Sequence, residues 1–241
     1  LSRGSYALKV SGTGAYVLTQ SSVCLQDSAK PAVTVNAVPS LLSAASLLSA
    51  SVSDSNGLKG CEVCISTDGV CDAEWSSNVN VNNEFSYGDK SGRCSFFWNV
   101  SQYSDSWHFI NFRVTDVGNN TATGAVQQTF LDRTKPLIYS VTVPAAADVN
   151  STVKFSANIT DNYGVSNVTA YFNSSPAIVV AATKNSSIGL FEATVRAPST
   201  VGSHSLVLAA ADAIGNIAVH ETVVRVEEPV SWSKPLGIVA M

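Results

Sequence analysis

The sequence carries one unit written twice. A Lys-Pro step, preceded by a small residue and followed by an apolar alternating run, occurs at Ala29-Lys30-Pro31, Thr134-Lys135-Pro136 and Ser233-Lys234-Pro235. These spacings are close to one small domain. Further positions fall into register between the steps. ASVSDSNGLKG from Ala50 lies against ANITDNYGVSN from Ala157, pairing Asp54 with Asp161 and Gly57 with Gly164. INFRVTDVGNN from Ile110 lies against LVLAAADAIGN from Leu206, pairing Asp116 with Asp212. Any fold for this chain must therefore be one that about a hundred residues can complete, and complete twice.

Within each copy the apolar residues alternate. Val153, Phe155, Ala157 and Ile159 share one face of a strand, as do Val168, Ala170 and Phe172, then Phe191, Ala193 and Val195, then Leu206, Leu208 and Ala210. Period two marks half-buried antiparallel strands, and roughly seven of them in about a hundred residues describe an all-β sandwich. The run LLSAASLLSA could be drawn as a helix, but its gapless match to TVKFSANIT reads as a strand with Ser46, Leu48, Ala50 and Val52 inward.

The surface is polar without being charged. Charged residues make up 13% of the chain, about half the usual share, and the formal charge is −4. With no basic run, the chain lacks the clustered Lys and Arg that phosphate backbones require. No apolar stretch is long enough to span a bilayer as a helix.

VTDVGNNTATGAVQQTFLDRTKP, residues 114–136, resembles the closing hairpin of the immunoglobulin-like repeats found in tandem in bacterial and archaeal surface proteins. There a strand ends in Asp-x-x-Gly-Asn and the next leads to a junction ending in Pro. The resemblance covers both copies and implies tandem immunoglobulin-like domains in a cell-surface setting, with many tasks open to them. Residues 31–134 and 135–230 are then two full domains. Residues 1–30 supply closing strands of a preceding or partner domain, and 231–241 a linker and first strand of a following one. Asp54, Asp116, Asp161 and Asp212 read as turn residues that accept backbone N–H groups beside a glycine of positive φ. A calcium role at junctions is the alternative, but the sequence displays no dense carboxylate cluster, and the expectation is no metal and no cofactor.

Cys61, Cys64, Cys71 and Cys94 all lie in the first full domain. Four cysteines can make a tetrahedral zinc site, but Cys61 and Cys64 point to opposite faces of a strand, which suits two disulfides better. Of the possible connectivities, Cys61 with Cys94 across the core and Cys64 with Cys71 across a short hairpin are favoured. Cys24 is left over, with its partner in absent sequence or on another chain. Asn-x-Ser/Thr occurs at Asn99, Asn119, Asn150, Asn158, Asn167, Asn173 and Asn185, roughly twice chance expectation, which points to N-linked glycans on a secreted and archaeal protein. The register turns Asn158 and Asn167 to solvent.

No phosphate loop, His pair for a metal or paired active-site carboxylates stand out. His108 and His204 occupy equivalent strand starts, as a structural feature of the repeat would. Trp75, Tyr87 and Trp107 are the candidates for a sugar-stacking or protein-contact face. The sequence thus reads as a non-enzymatic extracellular structural glycoprotein of a surface layer, stalk or filament, its partners being copies of itself or further repeats, paired through terminal strands. An adhesin or carbohydrate-binding module is the alternative.

Overall fold

A computed structural model describes residues 27–76, 81–174 and 178–229. The chain divides into two compact units, and the continuous stretch of the second starts at Asp132. The terminal pieces expected at 1–30 and 231–241, and with them Cys24, lie outside the described residues except for 27–30.

In the first unit, Ala32–Val35, Ser46–Ser53, Ser91–Trp98 and Asn82–Glu84 pair in that order as one sheet. Opposite it, Trp107–Asp116 pairs with Leu58–Ser66 on one side and Gln127–Leu131 on the other. The second half of LLSAASLLSA enters a strand, Ser46–Ser53, with Leu48, Ala50 and Val52 buried, Ser46 half-buried and Leu47 exposed, while Leu41–Leu42 form a separate short strand. Ser51 and Ser53 leave by the exposed face, whereas Ser49 is buried and its hydroxyl accepts from Asn36 Nδ2 at 2.7 Å and an Arg93 guanidinium N–H at 3.0 Å.

The second unit repeats this plan. Leu137–Thr142, Thr152–Thr160, Phe191–Arg196 and Thr183–Lys184 form one sheet, and Ala146–Asp148, Ile217–Glu227, Gly202–Asp212, Val165–Phe172 and Val180–Ala181 form the other. The leading segment changes sheets. Leu137–Thr142 runs antiparallel to Thr152–Thr160, whereas Ala146–Asp148 runs parallel to the last strand. Pro144, which has no N–H to give a ladder, stands between the two. Val153, Phe155, Ala157 and Ile159 from one sheet meet Val168, Ala170, Phe172, Leu206, Leu208 and Ala210 from the other in a single core. Val224 and Val226 of the last strand complete it.

Both units are thus all-β sandwiches of immunoglobulin-like type, in tandem on one chain. The alternation written in the sequence is the alternation of burial in Thr152–Thr160, while the central strands Leu58–Ser66, Trp107–Asp116 and Gly202–Asp212 also bury runs of three or more consecutive residues.

Candidate functional site

Each unit brings three segments together around carboxylates. The first is the turn after the Ser46–Ser53 or Thr152–Thr160 strand. Asp54 Oδ1 accepts the N–H groups of Asn56 at 2.7 Å and Gly57 at 3.0 Å. Asp161 Oδ1 accepts those of Tyr163 at 3.0 Å and Gly164 at 2.8 Å. These are the local side-chain bonds that make Asp a turn former. Gly57 and Gly164 take φ of 123° and 148°, which L side chains avoid.

The second segment closes the long central strand. Asp212 Oδ1 accepts the N–H groups of Ile214, Gly215 and Asn216, and its Oδ2 accepts Asn216 Nδ2 at 2.7 Å. In the first unit Asp116 Oδ1 accepts Asn120 N–H at 2.8 Å and Oδ2 accepts Asn120 Nδ2 at 2.9 Å. Positive φ falls three residues after the aspartate in both, at Gly215 and at Asn119. The glycine of the Asp-x-x-Gly-Asn pattern is Gly215 in the second unit, but the matching position in the first is Asn119. Asn119 takes the role there, since Asn is the non-glycine residue that best tolerates the left-handed region.

The third carboxylate was not anticipated. Asp27 and Asp132 each stand four residues ahead of a Lys-Pro proline, and each reaches the two turns of its own unit. Asn120 Nδ2 donates to the Asp27 carbonyl at 3.0 Å, and Asn216 Nδ2 to the Thr134 carbonyl at 3.2 Å, which holds the leading segment in place. Carboxylate oxygens of Asp27, Asp54 and Asp116 lie within 4.8 Å of one another, as do those of Asp132, Asp161 and Asp212. The sequence expectation of no dense carboxylate cluster is corrected here. Its members are scattered from Asp27 to Asp116 in one copy and from Asp132 to Asp212 in the other, so only the folded sandwich gathers them; the repeated Asp ahead of Lys-Pro was the available signal.

Asp132 and Asp116 are both fully buried at 0% exposure. Asp132 Oδ1 accepts Thr134 N–H at 3.1 Å. Its Oδ2, and the Oδ2 of Asp161 and of Asp27, are buried without a hydrogen-bond partner. Burial pushes the Asp132 carboxyl above the usual carboxylate range; its bond to Thr134 and the nearby Asn162 side chain oppose this, and the charges of Asp161 and Asp212 add to the rise.

The other sequence-derived sites divide. Cys61 is bonded to Cys94 and Cys64 to Cys71. The first bridge joins the two sheets of its unit, and the second pins the segment that follows the Leu58–Ser66 strand. That second bridge decides the fate of Trp75. The short 3-10 turn Ala73–Ser76 is laid back over the sheet, and Trp75 is buried with the Arg113 guanidinium 4.7 Å over its ring. As part of an exposed binding face Trp75 is therefore corrected: it covers the sheet.

Tyr87 and Trp107 are exposed, but at opposite ends of the unit. Trp107 stacks edge-on with Phe130 at the start of the Trp107–Asp116 strand. Tyr87 adjoins Gly88, whose N–H bonds to the Leu58 carbonyl, and Leu58 pairs with Asp116 at the strand's far end. The strand's ten residues, at about 3.3 Å each, separate the two by roughly 30 Å. The three aromatics do not form one face.

The histidines share a structural task. His108 and His204 each set Nε2 on the carbonyl four residues earlier, Ser104 at 2.9 Å and Thr200 at 2.8 Å. His108 is buried between Trp98 and Tyr103. Among the sequons, Asn99, Asn119, Asn150, Asn167 and Asn173 are exposed, while Asn158 and Asn185 are half-buried. Asn185 donates to Glu192 at 3.0 Å.

No protein-family model matches the sequence, and no curated protein matches it in sequence. Among solved structures, the I-band fragment I67-I69 from titin aligns over 82% of this chain and 66% of its own length, at 11% identity and a TM-score of 0.52. The D00-D0 domain of intimin aligns over 80% of this chain and 99% of its own, at 12% identity and a TM-score of 0.35. The likeness to the titin fragment shows the tandem immunoglobulin-like fold.

Proposed function

We propose that this chain is a non-enzymatic extracellular structural glycoprotein, part of a tandem immunoglobulin-like array in a surface layer, stalk or filament. The observation that carries the reading is the repetition itself. Two units share their turns, their leading segment and even their histidine hydrogen bonds position for position. An enzyme's nucleophile and base are single constellations, whereas a series element is built by duplication. Two disulfides support an oxidising compartment. Exposed sequons and a low surface charge support glycan as the solubilising group.

Assembly in this reading runs through the ends of the chain, where terminal strands add to the sheet edge of a neighbouring repeat or copy. The test is to image the native material by electron microscopy and weigh it intact before and after deglycosylation. An ordered array and a mass loss on deglycosylation are expected, and a chain lacking residues 1–28 should no longer assemble. Unmodified mass with no ordered assembly would overturn the reading.

A further inference from the structure

The Asp132, Asp161 and Asp212 cluster goes beyond any structural turn. Asp161 and Asp212 satisfy their turns with Oδ1, and Asp132 likewise gives its Oδ1 to the Thr134 N–H, so no turn uses the second oxygen of Asp132. Yet Asp132 is fully buried and its Oδ2 has no partner while lying within 4.8 Å of the other two carboxylates. A buried carboxylate oxygen left unpaired is costly because it has given up its water without gaining a partner, and two like charges beside it add to that cost. Asp161 Oδ2 is orphaned in the same way. Two bare acceptors turned into one carboxylate cluster form a receptor that lacks its positive charge. Among the described residues, no salt bridge pairs Asp132, Asp161 or Asp212 with a cation.

We propose that this cluster binds a hard divalent cation, calcium, within the second unit, with Asp132, Asp161 and Asp212 as carboxylate ligands. All three donors are oxygen, which suits calcium or magnesium and not zinc or copper. Three segments from distant parts of the sequence, each held by its own backbone bonds, form an irregular site. Calcium accepts such sites, whereas magnesium demands near-octahedral geometry and gives up its water reluctantly. Water and backbone carbonyls would complete the shell. The first unit carries the equivalent site at Asp27, Asp54 and Asp116, where Asp27 Oδ2 is the orphaned atom. The ion would fasten each leading segment to the two turns of its own unit.

The experiment uses the full chain stripped with chelator, titrated with calcium alone and followed by calorimetry and thermal unfolding. Two ions per chain are expected, with dissociation constants at or below the range of about 10⁻⁴–10⁻³ M found for extracellular modules. Asp132→Asn keeps the shape and the Thr134 bond and removes the charge. It should weaken binding at its site at least about tenfold while melting, in chelator, no lower than the unsubstituted chain. That second readout separates a lost ligand from a damaged fold. Asp27→Asn should do the same to the other site. No calcium-induced rise in the melting temperature, unchanged affinity in Asp132→Asn, or an equal response to magnesium would each overturn the assignment. None of these outcomes bears on whether the protein assembles or is glycosylated.

Discussion

Removing the Cys61–Cys94 bridge should unfold the first unit selectively, and the size of the loss follows from the length of chain it closes. The bridge spans a sequence separation of 33 residues and the Cys64–Cys71 bridge a separation of 7. Loop-closure entropy then assigns about 4 kcal/mol to the longer loop and about 2 kcal/mol to the shorter. For a unit near a hundred residues, about 4 kcal/mol lowers the melting temperature by about 15–30 °C. All five cysteines precede residue 95, so the second unit has no covalent bridge to lose. Scanning calorimetry of a Cys61→Ala/Cys94→Ala chain should show one transition moving down by that amount and the other staying in place. Cys64→Ala/Cys71→Ala should move the same transition about half as far. A larger loss from the short bridge, or equal movement of both transitions, would refute the entropic argument and point to packing as the dominant contribution.

Gly57→Ala should cost more than Gly164→Ala in thermal unfolding. Both residues hold positive φ, but a Cβ on Gly57 would lie 2.6 Å from the Gly88 carbonyl oxygen whereas Gly164 faces open space; about 1–3 kcal/mol of backbone strain is common to both and the clash adds to the first. Trp75→Ala should lower the stability of the first unit by about 3–5 kcal/mol, while Tyr87→Ala, at 72% exposure, should stay within about 0.5 kcal/mol. A glycan-binding signal abolished by Trp75→Ala in a chain whose melting is unchanged would overturn the assignment of Trp75 to the interior.

Much of this protein is local and therefore legible in its residues. Alternation in Val153 to Ile159 and in Leu206 to Ala210 sets which side of each strand faces inward, because a pleated backbone turns successive side chains to opposite faces. Asp54 and Asp161 make turns with N–H groups two and three residues away, and such contacts need no partner from elsewhere in the chain. The gapless duplication placed the second half of LLSAASLLSA in a strand, since a repeat must bury the same positions in both copies.

What tertiary structure alone decided lies wherever chemistry depends on residues far apart in sequence. Trp75 looked like a surface aromatic until the Cys64–Cys71 bridge folded its segment over the sheet and under Arg113. Tyr87 and Trp107 belong to one domain, but a strand's length parts them. Asp27 and Asp132 carry no signal beyond standing ahead of a Lys-Pro step. Only sandwich closure, which brings the leading segment against two turns made by other strands, converts three separate aspartates into one cluster, because side-chain proximity across sheets is set by packing and register rather than by spacing along the chain.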